Sequence, residues 1–500
     1  MSGHRTARVL VYTHRWLGIG SGALFLIWFV SGIVMIYARM PELDPDERLA
    51  RLPAIAPASV RVMAPAPAGG EIARLTITTL EGRPVIRMTA QGRTELTFAD
   101  TGDRLPAVDA EQAMRIARAF NGGINNLRYD ARLTDADQWS FGVRGRMPLH
   151  RFAVEDSAGT VLYISENSGE VVLKTTASGR LWGGAGAVMH WLYFTPFRRN
   201  SSLWAQSIIW LSIAGTLMCV VGMAWGIWRI SPRRGYRLCD RRQWSPYAGW
   251  MRWHHYAGLI FGVVTTTWIF SGLLSMDPWN WHPGTAPTRD QRTRVAGGPI
   301  DLDDVPVDRV QRVLKAFAPG LPKEVEIVRF RGHYYATAAA GIVSFDEPQF
   351  GARDQLAADL VFGAAGIAMS GAAIEGISWL DSYDAYYYDR DQRLPLPVLR
   401  VRYNDPQRTW LYFDPRHGTI ARKEEQLSRL NRWLYHGFHS LDFPFLYYRR
   451  PLWDVVVIGL SLGGILLSAT TLSASWRRVR RATFARRAPV KKPTTSGSRS

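Results

Sequence analysis

Hydrophobic and polar residues are strongly segregated along this chain. Four runs, 16–37, 203–228, 258–276 and 452–476, carry almost no charge. Each is near or above the ~20 helical residues that cross a ~30 Å hydrocarbon core. The two long stretches between them read as strands mixed with helix. In the first, 71–79, 85–89 and 93–98 alternate as strands, 108–120 reads as helix, and 139–143, 151–154 and 160–164 read as strands. Asn167-Ser168-Gly169-Glu170 reads as a turn. In the second, 306–317 reads as helix, 324–330, 333–338, 398–403 and 409–413 as strands, and Asp414-Pro415-Arg416-His417-Gly418 as a turn. The pattern predicts an α-helical membrane protein with four transmembrane helices and two external α+β domains. The expected divisions are helix 1 at 9–38, domain 1 at 39–185, an interfacial segment with helix 2 at 186–230, and a loop at 231–250. Helix 3 at 251–277, domain 2 at 278–432, an interfacial segment with helix 4 at 433–476, and a basic tail at 477–500 follow.

Composition changes this picture little. Across 500 residues, 47% apolar and 21% charged, the mean hydropathy of −0.11 averages the segregation away. Cys219 lies in an apolar run and Cys239 in an Arg-rich segment, which excludes a disulfide framework, a CxxC redox pair and cysteine-ligated zinc. The net charge of +19 first suggests nucleic acid, but its placement excludes that reading. Arg5, Arg8 and Arg15 precede the first run. Arg229, Arg233, Arg234, Arg237, Arg241, Arg242 and Arg252 fill the gap between the second and third. Arg477, Arg478, Arg480, Arg481, Arg486, Arg487, Lys491 and Lys492 follow the fourth. These three short segments hold most of the excess positive charge, which is expected to place both termini and the short loop in the cytoplasm. The first run is longer than a signal-peptide apolar region, and Arg39-Met40-Pro41 offers no cleavage site, so it is expected to remain as a helix. A multi-pass protein of a bacterial inner membrane, with its large domains in the periplasm, is expected.

The chain also repeats itself. At a shift of 240, His14, Gly18, Gly22, Trp28, Ser31 and Gly32 fall on His254, Gly258, Gly262, Trp268, Ser271 and Gly272. At a shift of 249, His190, Leu192, Phe194, Leu203, Trp204, Ser212 and Gly215 fall on His439, Leu441, Phe443, Leu452, Trp453, Ser461 and Gly464. Two such series in order predict an internal duplication, helix–domain–helix twice, with a pseudo-twofold axis along the membrane normal. The recurring glycines and serines suit close helix packing.

The duplication gives the histidines their interest. His14, His190, His254, His255, His436 and His439 all lie near the ends of apolar runs. Any one of them suits simple interfacial packing, an apolar ring with a polar tip beside Trp16, Trp191 or Trp253. As pairs, they put one histidine from each half at matching depth on each membrane face. Two imidazoles on opposite sides of one iron make a bis-histidine b-type haem. His14 with His254 would form the cytoplasmic site, and His190 with His439 the periplasmic one. His255 and His436 are the alternative ligands; the repeat favours His439 over His436, and His254 and His255 point about 100° apart on a helix. Arg15, Arg252, Arg198, Arg199, Arg449 and Arg450 are candidate propionate contacts, with snorkelling to headgroups their ordinary role. The zinc-like spacing of His436 and His439 is a weak signal. No nucleotide, serine-hydrolase or metalloprotease motif is present. The aromatic stretch 381–390 reads as either a ligand surface or packing on the sheet. The Gly/Ala-rich stretch 363–376 is too glycine-rich and too confined in its setting for a fifth span.

Several motifs resemble the PepSY-associated transmembrane family of bacterial inner-membrane proteins. They are His14-Arg-Trp-Leu-Gly18 with Ser31-Gly32, the helix Asp109-Ala-Glu-Gln-Ala-Met-Arg-Ile-Ala117, Asn167-Ser-Gly-Glu-Val-Val172 and Met189-His190-Trp-Leu192. Arg252-Trp-His254-His255-Tyr-Ala-Gly258, Leu411-Tyr-Phe-Asp-Pro-Arg-His-Gly418 and His439-Ser-Leu-Asp-Phe443 complete the series. The resemblance covers nearly the whole chain. It implies PepSY-type α+β folds outside the membrane, and some members are similar to haem-containing reductases of ferric siderophores. The expected function is therefore a di-haem b electron conduit, with electrons from the cytoplasm or quinol pool reducing a periplasmic ferric siderophore. Soluble PepSY domains are also associated with peptidase propeptides. This keeps an alternative open: a haem-free scaffold binding a protease, peptide or transporter partner. A permease is disfavoured because the helices carry no mid-membrane charge.

Overall fold

Four long helices, Ser2–Met35, Ser201–Arg229, Trp250–Leu274 and Leu452–Arg487, dominate the computed structural model, which describes residues 2–65, 70–90, 92–238 and 241–487. Cys239, Lys491 and Lys492 lie outside those residues. All four helices are long and apolar enough to span a membrane. The first and third helices each pack against the second and the fourth, so they face each other across a diagonal of the bundle. Glycines let aromatic side chains close that core. A Cβ on Gly215 would come within 3.0 Å of Phe25 and Ile269, and one on Gly464 within 2.4 Å of Phe29. Phe25, Phe29, Trp268, Ile269, Met218 and Cys219 fill the centre.

The two long segments between the helices build three sheets. The first contributes β1 (Ile72–Leu80), β2 (Arg83–Ala90) and β3 (Arg93–Phe98), then β4 (Leu127–Leu133), β5 (Leu149–Val154), β6 (Val161–Ser165) and β7 (Val171–Thr175). A hairpin of β8 (Tyr236–Leu238) and β9 (Arg241–Gln243) joins the second and third helices. The second segment adds β10 (Val325–Phe330), β11 (His333–Ala338) and β12 (Gly341–Ser344), then β13 (Ile374–Leu380), β14 (Val398–Tyr403), β15 (Trp410–Asp414) and β16 (Thr419–Glu424). Strands β4 to β7 form one antiparallel meander and β13 to β16 another. The remaining strands join in a single sheet of order β12-β11-β10-β1-β2-β3, with Leu75 opposite Ile327 and Ile77 opposite Val325. The two segments therefore share a sheet and a core: Leu75, Ile77 and Ile86 bury against Val310, Val313, Phe317 and Val325.

The same elements follow one another in both halves. Three strands, a helix (Ala110–Phe120 or Ala358–Ala368), four strands, a short helix and a π-helical turn (Gly184–Val188 or Arg432–Gly437) precede the second and fourth long helices. Leu192 and Leu441, 249 positions apart, both take left-handed backbone, with φ of 52° and 49°. The glycine-rich stretch 363–376 thus belongs to the helix of the second half and the strand after it. Val361, Ala364, Ala365 and Ala368 pack on Leu399, Val401, Tyr403 and Phe413. Asp109 accepts from the Gln112 N–H and caps the corresponding first helix at 2.8 Å.

One expected strand is corrected. Residues 139–143 lie in a 3₁₀ turn, Ser140–Arg146, because the Asp137 carboxylate accepts from the Trp139 N–H, the Ser140 N–H and the Ser140 hydroxyl at 2.8–3.0 Å. The aromatic stretch 381–390 is packing. Tyr387 is fully buried and stacks on Tyr412 at 4.9 Å, while Tyr383 and Tyr387 donate to the Leu394 and Pro395 carbonyls.

Candidate functional site

The bundle brings four histidines together as two pairs. His14 and His254, on the diagonal first and third helices, have ring centroids 6.0 Å apart at the end that carries the termini. His190 and His439, each on a single helical turn after a π-turn, have centroids 6.1 Å apart at the sheet-bearing end. Left-handed Leu192 and Leu441 reverse the chain directly after each histidine turn. That reversal folds each turn back toward the bundle.

Every one of the four rings is held by Nδ1. His14 Nδ1 lies 3.0 Å from the Met218 carbonyl. His190 Nδ1 lies 3.2 Å from the Trp28 carbonyl and 3.1 Å from the Ser31 hydroxyl, and His439 Nδ1 stands at the same 3.2 and 3.1 Å from Trp268 and Ser271. His254 Nδ1 is 3.1 Å from the Thr470 hydroxyl and 3.3 Å from that of Thr471. These partners decide the tautomer. A carbonyl can only accept. Ser31 already donates to Ile27, Ser271 to Trp268, and both threonines to Leu467, so their oxygens accept as well. Nδ1 therefore carries the proton in each neutral ring and Nε2 keeps its lone pair. Among the described residues, no protein donor or acceptor occupies any of the four Nε2 atoms. A second atom that orients one ring nitrogen and frees the other is the arrangement of a metal-ligating histidine.

The spacing suits one metal per pair. With metal–imidazole bonds of about 2.0–2.1 Å and about 1.1 Å from nitrogen to ring centre, two axial rings sit about 6 Å apart. Three glycines beside the rings leave room. A Cβ on Gly222 would lie 2.4 Å from His14 Cε1, while one on Gly32 or Gly272 would lie 3.6 Å from His190 or His439. Around His14 and His254 opens a cavity of about 1110 Å³, to which Gly18, Gly22, Gly222, Gly226, Gly258 and Gly262 contribute walls without side chains. Such walls admit a flat, broad ligand. No group of three or more His, Cys, Asp or Glu arranged for a bare metal ion occurs among the described residues, so the zinc-like spacing of His436 and His439 has no third ligand.

The other candidates separate clearly. His255 lines the cavity wall, but Ser245 Oγ (2.8 Å) and the Gly226 carbonyl (2.9 Å) engage both its nitrogens. His436 lies against Tyr435 with tilted rings, centroids 4.5 Å apart, and Tyr435 in turn lies 5.5 Å from His439. Arg15 lines the cavity, whereas Arg252 turns to the Gln243 side-chain oxygen at 3.1 Å. Arg198 lies against Tyr193 and Trp204 at 5.0 and 4.5 Å, and Arg199 reaches the Ala136 carbonyl. Arg450 pairs with Asp454. Arg477 and Arg478 also line the cavity beside Arg15. In the sequence they are indistinguishable from the rest of the basic tail; only continuation of the fourth helix past the apolar run could have marked them.

Fold and site together define a multi-pass membrane protein with paired, oriented histidines at both ends of its helix bundle. The family model described as "PepSY-associated TM region" matches residues 11–381, and the chain belongs to that family. No curated protein matches this chain.

Proposed function

We propose that the protein is a di-haem b electron conduit of a bacterial inner membrane, reducing a periplasmic ferric substrate such as a ferric siderophore with electrons from the cytoplasm or quinol pool. The observation that carries this reading is the pair of histidine pairs, 6.0 and 6.1 Å apart, with all four Nδ1 atoms engaged. The recurrence of the same elements in the same order supports an internal duplication with PepSY-like units outside, which would supply one ligand of each pair from each half. A haem bound there would supply a one-electron iron couple.

The chain's own residues supply the rest. His14 and His254 would hold one group and His190 and His439 the other. Arg15, Arg477 and Arg478, which line the first cavity, would meet the propionates of a group held there. Along the first helix, His14 and the Trp28–Ser31 turn are about 21–26 Å apart at 1.5 Å per residue. Phe25, Trp28, Phe29 and Trp268 fill that interval, with Phe29 and Trp268 centroids 5.9 Å apart, and exclude water from it. Oxygen ligands that favour Fe(III) hold Fe(II) less tightly, so one-electron reduction releases the iron.

An absorption spectrum of the purified protein, oxidised and dithionite-reduced, with haem counted per chain, tests the reading. Two haems are expected, one after His14→Ala with His254→Ala, and one after His190→Ala with His439→Ala. A colourless protein expressed with ample haem would refute it. One observation favours the haem-free scaffold instead: β13 is an edge strand with Ile374 and Ile377 exposed, open to strand addition by a peptide. Peptide capture abolished by Ile377→Lys, in a colourless protein, would establish that alternative.

A further inference from the structure

Three arginines, Arg39, Arg390 and Arg450, line one cavity of about 610 Å³ with Tyr37, Tyr447 and Tyr448. Asp391 and Gln392 complete its wall. The charges do not balance. Arg39 pairs with Asp391 at 2.6 Å and Arg450 pairs with Asp454. Arg390 donates to the Ile36 carbonyl and, among the described residues, has no carboxylate within ion-pair distance. Burial, and then the neighbouring charges of Arg39 and Arg450, lower its proton affinity. All three arginines are open to solvent, and three guanidiniums converging on one cavity draw an anion into it.

The repeat shows that the scaffold does not require this cluster. At the offsets that superpose the two halves, Arg39, Arg390 and Arg450 fall on Trp279, Phe141 and Ser201. Only one half of the molecule carries the three charges. Their position says what reaches them. The first helix ends at Met35 and the fourth begins at Leu452, so the cavity opens where the membrane boundary would lie. Phe445, Leu452 and Val455 are exposed beside it, as side chains facing lipid are. Arginine forks and tyrosine hydroxyls match the oxygens of a phosphate.

We propose that this cavity is a phosphate-binding site at the sheet-bearing membrane boundary, with Arg390 as its anchor. The phosphate belongs to an anionic phospholipid headgroup or to a free phosphate. The full chain, delipidated in detergent, is titrated with phosphatidylglycerol in native mass spectrometry and with inorganic phosphate by calorimetry. A headgroup site retains one phosphatidylglycerol per chain and loses it at least about tenfold in Arg390→Gln, the loss expected for one charge-assisted hydrogen bond. A site for free phosphate shows that same loss in the calorimeter alone. In either case Arg390→Lys, which keeps the charge, restores most of the binding. Equal binding by wild type and Arg390→Gln in both titrations overturns the proposal. Arg450→Gln carries the same comparison if Arg390→Gln does not fold. Neither readout depends on colour, so the result stands apart from haem content.

Discussion

Replacing Gly222 by alanine puts a methyl carbon where the first histidine pair has no space. The added Cβ would lie 2.4 Å from His14 Cε1 and 2.5 Å from its Nδ1, against the 3.4–4 Å of ordinary contact. The imidazole must retreat by about 1 Å, because close-packed helices give little way. That retreat lengthens the 3.0 Å bond from Nδ1 to the Met218 carbonyl and swings Nε2 away from His254. Overpacking of this kind costs about 1–3 kcal/mol of folding stability. Its effect on ligation is sharper, since metal–ligand distances hold to about 0.2 Å. Glycines elsewhere give the comparison. A Cβ on Gly32 or Gly272 would sit 3.6 Å from the second pair, in ordinary contact, and one on Gly20 would meet nothing within 4 Å. Haem counted per chain in purified protein is therefore expected to fall from two to one in Gly222→Ala and to stay at two in Gly32→Ala, Gly272→Ala and Gly20→Ala. A Gly222→Ala protein with both haems and unshifted reduced bands would refute the assignment of His14 as an axial ligand.

Arg432 is buried beside Asp442, donating to its carboxylate at 3.3 Å and its carbonyl at 2.8 Å, so Arg432→Met is expected to cost about 3–5 kcal/mol. Thermal melting measures it, and a melting temperature equal to wild type would show that the pair is not structural. Burial already raises the Asp442 carboxyl, and without Arg432 it is expected to take up a proton at higher pH still, visible by infrared spectroscopy of the carboxyl band. Gly464→Ala would bring a Cβ to 2.4 Å from Phe29, and about 1–3 kcal/mol of destabilisation is expected in the same melting assay. The hydrogen bond to Asp414 Oδ2 at 2.5 Å raises His417 above its ordinary 6.5. Its contribution is complete below pH 6.5 and fades as pH rises through the folded value. The melting temperature is expected to decline less above pH 6.5 in His417→Gln than in wild type.

The four spans were legible because a membrane demands ~20 apolar residues in a row, a constraint written in local sequence alone. The histidines stood out for a similar reason. Matches at constant shifts of 240 and 249 tied His14 to His254 and His190 to His439 before any contact was known. Other features depend on residues distant in the chain, and no local pattern announces them. The pairing of Leu75 with Ile327, which makes one sheet of the two long segments, is a choice between edges that only the assembled cores decide. Residues 139–143 alternate like a strand, yet the Asp137 cap holds them in a 3₁₀ turn. His255 carries the same chemistry as His254 and sits one residue away. Tertiary packing alone separates them, by turning one ring onto Ser245 and Gly226 and leaving the other with a free nitrogen facing His14. Hydrophobic length and repetition are properties of the chain. Which lone pair stays unoccupied is a property of the fold.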